Sequence, residues 1–291
     1  MGSLDGRVAI ITGAGRGIGR EHALFFAAEG AKVVVNDLGG TNDGTGADIT
    51  PAQQVVEEIR AMGGEAVVNG DNVADWEGAQ RLINQAVETF GDLDILVNNA
   101  GILRDRVLVN MTEEEWDAVI AVHLKGHFAP SRWAASYWRE QFKAGVSKPR
   151  NIVHTSSTSG LFSNPGQSNY GAAKTGIATF GQIIAKELSR YGVKSNTIAP
   201  GARTRLTLAT PGLEDVMKPK EGMFDPWDPA NISPLVAYLG SADCAFNGET
   251  FLVSGGSVTM VESWARGAHV DRDSKWTVSE LTEALAPLAR S

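Results

Sequence analysis

Short runs of apolar, often β-branched residues alternate along the chain with longer amphipathic segments. The runs predict seven strands, at residues 7–12, 32–36, 65–69, 93–98, 150–155, 193–198 and 249–253. Because these runs are almost continuously apolar, both faces of each strand are expected to be covered. The alternation of strands with helical segments therefore predicts an α/β fold with a mainly parallel sheet and right-handed crossovers.

Helices are predicted at residues 17–29, 52–62, 112–143, 168–191 and 277–288, of which 112–143 and 168–191 are the longest. Pro51 suits the start of the second helix, since the N–H that proline lacks has no partner in a first turn.

Two stretches fall outside the repeating pattern. Residues 201–229 are mostly polar and contain prolines, so an irregular substrate loop within a domain of residues 1–256 is expected. Residues 257–291 are expected to be an extension that packs on this domain or on a neighbouring subunit.

Composition narrows the range of partners and locations. The chain has 291 residues, 43% of them hydrophobic, which is enough to form one large domain. A net charge of −8 without a basic stripe argues against nucleic-acid binding. The single cysteine, Cys244, excludes an internal disulfide, and no apolar run is long enough for a membrane span or a signal peptide. We therefore expect a cytoplasmic protein with no membrane partner.

The run TGAGRGIG joins the first strand to the first helix. Glycines at such a turn let the backbone approach a pyrophosphate, and the helix N-terminus favours its negative charge. A glycine-rich string alone is weak evidence, but its position between a strand and a helix is typical of a nucleotide loop. The candidate cofactor-binding residues in this run are Gly13, Arg16, Gly17, Ile18 and Gly19.

Asp37 at the end of the second strand favours NAD as the cofactor. A carboxylate there can accept hydrogen bonds from the adenosine ribose hydroxyls and repels the 2′-phosphate of NADP. Arg16 beside the phosphate loop could instead help to hold that phosphate. Because Asp37 is followed by Leu38 and two glycines rather than by a basic residue, NAD is the prediction.

Candidate catalytic residues occur in IVHTSS and YGAAK. Tyr170 and Lys174 are four residues apart near the start of a helix, so both side chains leave the same face. A phenol titrates near 10, and a nearby ammonium group together with a positive nicotinium ring would bring it into working range as an acid or base. Ser157, thirteen residues before Tyr170 at a strand end, can donate a hydrogen bond to a substrate oxygen.

Together, TGAGRGIG, NNAG at 98–101, SS before YGAAK, and NTIAPG at 196–201 resemble the short-chain dehydrogenase/reductase family. The resemblance runs in order from residue 7 to about 256. It implies a doubly wound Rossmann-like fold with a seven-stranded, mainly parallel sheet and helices on both faces, and a homodimer or homotetramer built through the long helices.

The resemblance also implies roles for further residues. Asn72 and Val73 would hold the adenine, and Lys174 would hold the nicotinamide ribose beside Tyr170. The strand-end contact and the nicotinamide side would be formed by Asn99, Ala100, Gly101, Pro200, Gly201 and Ala202. No metal ligands are implied.

One position departs from the usual family pattern. The family commonly has an asparagine there that supports a water-linked proton relay, and this chain has His123. The stretches NDLGG, VVEEIR, NNAGILRDR, VHLKG and NTIAP resemble the branch formed by the (3R)-hydroxyacyl-CoA dehydrogenase units of peroxisomal multifunctional enzymes of type 2, which also has a histidine. His123 is therefore a fourth candidate catalytic residue, in place of the asparagine.

The branch resemblance predicts a 3-hydroxyacyl-CoA substrate with a fatty or steroid-derived acyl chain. Arg104 and Arg106 could meet a CoA phosphate, and Arg203 and Arg205 would add positive charge, although arginines after a strand are more often solvated or ion-paired. A hydroxysteroid dehydrogenase and a 3-oxoacyl carrier-protein reductase are alternatives, the latter disfavoured by Asp37. A non-catalytic nucleotide-sensing protein is opposed by the presence of all three catalytic side chains.

Overall fold

A single sheet of eight strands organises the structure, a computed structural model that describes residues 2–208 and 212–289. The strands are β1 (Val8–Thr12), β2 (Lys32–Asn36), β3 (Glu65–Asn69), β4 (Ile95–Asn98), β5 (Arg150–Thr155), β6 (Val193–Gly201), β7 (Thr250–Ser254) and β8 (Ser257–Val261). Their order in the sheet is β3-β2-β1-β4-β5-β6-β7-β8. All neighbouring pairs are parallel except β7 and β8.

The eighth strand is a difference from the expected seven. It is formed by residues 257–261, which were expected to begin the C-terminal extension. Gly255 and Gly256 form a two-residue turn, with Gly255 at a φ of 53°, so that Ser254 pairs directly with Ser257. Glycine in a left-handed conformation is what such a tight hairpin requires.

Helices connect the strands and continue into the C-terminal residues. They are α1 (Gly17–Ala28), α2 (Thr50–Ala61), α3 (Trp76–Phe90), α4 (Glu113–Ile120), α5 (Gly126–Lys143), α6 (Thr158–Phe162), α7 (Ser168–Leu188), α8 (Arg205–Leu208), α9 (Leu213–Val216), α10 (Ser233–Gly240) and α11 (Val278–Leu285). The helix expected over residues 112–143 is divided, because a wide π-helical turn, Ala121–Lys125, separates α4 from α5.

Helices cover the sheet on both faces, which confirms the doubly wound Rossmann-like fold. On one face α1, α2 and α10 pack their apolar side chains against residues such as Ile11, Val35 and Val153. On the other face α3, α5 and α7 pack against Ile10 and the β-branched residues of neighbouring strands.

The loop after β6 is more regular than its composition suggested. β6 extends to Gly201, and the short helices α8 and α9 follow within the stretch that was expected to be irregular. Residues 209–211 of this stretch lie outside the described part of the chain.

The chain divides into a large unit, Met1–Val261, and a small one, Glu262–Ser291. In the small unit, Thr277 and Glu280 form a reciprocal capping box at the start of α11. Among the described helices, none combines the length and the apolar character needed to cross a bilayer.

Candidate active site

A cleft of about 860 Å³ lies at the carboxyl ends of the strands, where the strand order reverses between β1 and β4. Open parallel sheets bind their ligands at such a switch point. The structure brings together every candidate catalytic and cofactor-binding residue of the sequence analysis. The cleft is lined by Gly13, Arg16, Gly17, Ile18, Gly19, Asp37, Asn72, Val73, Asn99, Ala100, Gly101, His123, Ser157, Tyr170, Lys174, Pro200, Gly201 and Ala202.

The glycine-rich turn after β1 is held by the end of β4. Gly13 has a φ of 64°, and a Cβ atom on it would lie 2.7 Å from the Ala100 Cα, so the turn needs glycine. The Asn99 amide donates to the carbonyl oxygens of Thr12 (3.0 Å) and Gly13 (3.2 Å). Asn99 therefore braces the turn in addition to lining the cleft.

The N-terminus of α1 faces the cleft with free backbone donors. Its N-cap residue, Arg16, makes no capping hydrogen bond with its side chain. A Cβ atom on Gly19 would lie 2.2 Å from the Gly13 carbonyl oxygen, so the turn and the helix can approach each other only with glycine there. Free N–H groups and the helix dipole suit a pyrophosphate, and these residues therefore fit a dinucleotide cofactor.

Asp37 lies at the end of the cleft where the adenosine is expected, and it is held in place by the backbone. Its carboxylate accepts hydrogen bonds from the N–H groups of Gly15 (2.8 Å) and Gly39 (2.6 Å). Arg16 lies 3.9 Å from Asp48, and Arg205 also lines this part of the cleft. One fixed carboxylate and two arginines thus surround the expected position of the ribose.

Tyr170, Lys174 and Ser157 meet at the other end of the cleft. Tyr170 and Lys174 lie one turn apart on α7, and Ser157 follows β5 as the N-cap residue of α6. The Tyr170 hydroxyl shares a hydrogen bond with Ser157, and the Lys174 Nζ lies 5.4 Å from the centre of the Tyr170 ring. Lys174 is only 2% exposed, and its Nζ donates to the Thr155 carbonyl oxygen (2.7 Å).

Burial favours the neutral forms of both Tyr170 and Lys174. It raises the pKa of Tyr170 to about 12, while the hydrogen bond from Ser157 acts in the opposite direction and the charge of Asp105 adds to the rise. Burial also lowers the pKa of Lys174 to about 7. Without other charges in the cleft, the phenol is therefore protonated at neutral pH and the amine is poised between its two forms.

His123, in the π-helical turn, reaches the same site. Its ring lies edge-on to the Tyr170 ring, with 5.0 Å between centres, and its Nε2 lies 2.8 Å from the Ile102 carbonyl oxygen. Burial and the charge of Lys174 hold the pKa of His123 well below its usual value, so the ring is neutral. Its buried Nδ1 has no hydrogen-bond partner among the described residues.

Glycine at position 101 gives the His123 ring the room that it occupies. A Cβ atom on Gly101 would lie 2.5 Å from the His123 Cε1.

Three of the four arginines that were considered for a CoA site are engaged elsewhere, including the two suggested ligands of a CoA phosphate. Arg104 donates to the Asp43 carbonyl oxygen (2.8 Å), Arg106 pairs with Glu115 (3.1 Å), and Arg203 pairs with Asp225 (2.5 Å). None of these three is among the described residues that line the cleft, whereas Arg205 is. The suggested role of Arg104 and Arg106 in binding CoA phosphate is therefore not supported.

Some residues of the site had not been found from the sequence. The Thr12 hydroxyl accepts from the backbone N–H groups of Asn99 (2.9 Å) and Ala100 (3.1 Å), which connects β1 to the NNAG segment. A threonine directly before the glycine-rich turn was the only available signal. Further lining residues come from the loop after β2 and from the β7–β8 hairpin, namely Leu38, Gly40, Thr41, Asn42, Gly44, Ser254, Ser257 and Thr259.

A doubly wound sheet, a glycine-rich turn at its switch point and a Ser–Tyr–Lys group across the same cleft define a dinucleotide-dependent oxidoreductase. The family model of short chain dehydrogenases matches residues 7–210. The chain belongs to the short-chain dehydrogenase/reductase family, and it is an oxidoreductase of the kind that acts on CH–OH groups.

Two relatives carry names that bear on the substrate. The hydroxyacyl-CoA dehydrogenase ChsB1 of Mycobacterium tuberculosis is 43% identical over 298 aligned positions, which cover 97% of this chain and 88% of that protein. The peroxisomal multifunctional enzyme type 2 of Drosophila melanogaster is 45% identical over 268 positions, which cover 92% of this chain and 41% of that longer protein. The resemblance to the hydroxyacyl-CoA dehydrogenase branch is thereby confirmed.

Solved structures show the same fold. A short chain dehydrogenase from Mycobacterium avium is 54% identical, with a TM-score of 0.88 over 99% of this chain and 96% of that one. A short chain dehydrogenase from Burkholderia cenocepacia, solved in complex with NADP, is 28% identical, with a TM-score of 0.74 over 87% of this chain and 98% of that one. A nicotinamide cofactor is therefore a family property.

Proposed function

We propose that this protein is an NAD-dependent dehydrogenase that acts on the 3-hydroxyl group of a 3-hydroxyacyl-CoA, with a fatty or steroid-derived acyl chain. The observation that carries the proposal is the meeting of Ser157, Tyr170 and Lys174 at one end of a cleft whose other end holds Asp37 and the α1 N-terminus.

The side chains can carry out the proton chemistry of alcohol oxidation. Ser157 holds the substrate oxygen by a hydrogen bond, and Tyr170 takes the hydroxyl proton as general base. Nicotinamide supplies the hydride acceptor when the cofactor is bound. Lys174, when protonated, stabilises the phenolate, and His123, whose buried Nδ1 has no hydrogen-bond partner among the described residues, faces the Tyr170 ring.

The choice of NAD rests on Asp37. Two backbone N–H groups fix its carboxylate, so its charge stays at the position that a ribose hydroxyl would approach. A 2′-phosphate would have to lie beside this charge. Arg16 and Arg205 are the groups that could offset the repulsion.

The choice of a thioester substrate rests on relatives. ChsB1 is named as a hydroxyacyl-CoA dehydrogenase, and this chain matches most of its length. Since Arg104 and Arg106 are engaged with other groups, the arginines of the NNAGILRDR stretch no longer support the CoA assignment.

The test is steady-state oxidation of (3R)- and (3S)-hydroxyacyl-CoA and of a free 17β-hydroxysteroid, each with NAD and with NADP. We expect turnover of the (3R) thioester with NAD. Tyr170→Phe should retain NAD binding and reduce turnover at least roughly a hundredfold, the low end for a positioned acid or base. Activity confined to the free steroid or to the (3S) thioester would refute the substrate, and a Tyr170→Phe variant with half the wild-type turnover would refute the chemistry.

A homodimer or homotetramer and a cytoplasmic location remain predictions from the sequence. Mass measurement in solution and imaging of the tagged protein would test them.

A further inference from the structure

The NNAGILRDR stretch contacts the helix that carries Tyr170. After β4, residues Arg104–Arg106 run beside the segment that begins α7, Gly166–Tyr170. The Arg106 N–H donates to the Gly166 carbonyl oxygen (2.8 Å), and the Gln167 amide donates to the Asp105 carboxylate (2.7 Å).

Asn169 completes this connection from the interior. Its side chain is 0% exposed, and its amide nitrogen donates to the carbonyl oxygens of Arg104 (3.0 Å) and Glu115 (3.1 Å). Its amide oxygen accepts from the N–H of Tyr170 (2.7 Å), a first-turn donor that has no partner within the helix. One buried side chain thus connects the segment after β4, helix α4 and the backbone of Tyr170.

We infer that Asn169, supported by the Asp105–Gln167 hydrogen bond, is a positioning residue that fixes the Tyr170 hydroxyl relative to Ser157 and Lys174. The two backbone carbonyls that Asn169 bridges belong to elements outside α7, so they hold the first turn of the helix against displacement along or around its axis. A misplacement of a catalytic group by about 1 Å can lower the rate about a hundredfold, even when the mutation that causes it does not touch the reacting atoms.

Arg104, Asp105 and Arg106 thereby have a role that needs no contact with the substrate. Arg104 contributes its carbonyl oxygen, Asp105 its carboxylate and Arg106 its N–H group. The inference rests on the proposed role of Tyr170 as acid or base, and it does not depend on the choice of substrate.

The main test compares Asn169→Ser with Asn151→Ser, using whichever alcohol the wild-type enzyme oxidises. Asn151 is 1% exposed, and its amide likewise donates to a backbone carbonyl, that of Leu239 (2.9 Å), and accepts from Arg7 (2.9 Å). Both variants should lose thermal stability. Only Asn169→Ser should lose kcat, by roughly tenfold or more, with the NAD dissociation constant within about twofold of wild type.

The pH dependence of kcat is a second readout. When Tyr170 is displaced, its phenolate is less well stabilised by Ser157 and Lys174, while Asp105 opposes its charge and the neutral His123 ring also faces it. The acid limb of the Asn169→Ser profile should therefore move to higher pH, whereas that of Asn151→Ser should stay in place. Equal kcat losses in the two variants at equal loss of Tm would overturn the inference.

Asp105 provides a test that does not depend on the folding of Asn169→Ser. Asp105→Asn keeps an oxygen acceptor for Gln167 and should retain most of the wild-type kcat. Asp105→Ala removes the acceptor and should lose several-fold. Equal activity of the two variants would contradict the inference. Wild-type turnover and its loss in Tyr170→Phe, measured alongside, report separately on the proposed function.

Discussion

Replacing Lys174 with methionine should shift the pH dependence of alcohol oxidation. The Lys174 Nζ lies 5.4 Å from the centre of the Tyr170 ring, and both groups are withdrawn from water. If this ring-centre distance is taken as the separation of the ammonium from the phenolate charge, two unit charges interact by about 3 kcal/mol at an effective dielectric constant of about 20. Since about 1.4 kcal/mol corresponds to one pKa unit, removing the ammonium group should raise the pKa of Tyr170 in the working enzyme by about 2.

The expected result is an acid limb of log kcat displaced by about 2 pH units to higher pH, so that kcat at pH 6, where Lys174 with its pKa of about 7 is charged in the wild-type enzyme, falls about a hundredfold. The assay is initial-rate oxidation from pH 6 to pH 10.5 at saturating NAD, with the NAD dissociation constant measured at each pH. Because NAD is saturating, the displacement of the acid limb is separated from any loss of NAD binding that follows from removing the contact of Lys174 with the ribose.

Lys186→Met is the matched control, because it makes the same chemical change at an exposed position in the last turn of α7. Its profile should coincide with that of wild type. If Lys174→Met displaced the acid limb by less than about half a unit, the electrostatic role of Lys174 would be wrong.

Two further predictions concern the ends of the cleft. Asp37→Asn keeps the size of the side chain and removes its charge. The ratio of kcat/KM with NAD to kcat/KM with NADP should therefore fall roughly tenfold, in line with the loss of one charge-assisted hydrogen bond. A wild-type enzyme that prefers NADP would show that Arg16 and Arg205 outweigh Asp37. For stability, the pKa of Lys174 is lowered to about 7, so the folded state binds fewer protons than the unfolded state between about pH 7 and its ordinary value of 10.5. The free-energy cost of burying the ammonium is therefore fully present below pH 7 and disappears as the pH rises to 10.5. Lys174→Met should accordingly raise the Tm of the cofactor-free protein more at pH 6 than at pH 10. An equal change in Tm at both pH values would contradict the lowered pKa of Lys174.

Local patterns were sufficient to predict seven of the eight strands and most of the cleft. The runs at β1, β2 and β5 identify buried parallel strands, and the carboxyl ends of parallel strands meet at one edge of the sheet. The spacing of Tyr170 and Lys174 places both on one helix face, so their proximity follows from helix geometry.

The remaining features depend on contacts between distant parts of the chain. Arg106 follows β4, and its partner Glu115 lies on α4, so the sequence could not distinguish an ion pair from a phosphate ligand. The neutral state of His123 likewise depends on burial and on the Ile102 backbone. Asn169 reads as an ordinary polar residue at a helix start, and only the structure shows that it is buried.

The wide turn between α4 and α5 constrains insertions and deletions during evolution. Each α-helical residue advances the chain by about 100° around the helix axis, so one residue fewer in Ala121–Lys125 would rotate α5 by about that angle relative to α4. Either Ala134 and Trp138 would leave the apolar layer against the sheet, or the histidine would turn away from the tyrosine. Substitutions in this turn can be accommodated one side chain at a time, whereas a change in its length forces a choice between the core and the catalytic cleft.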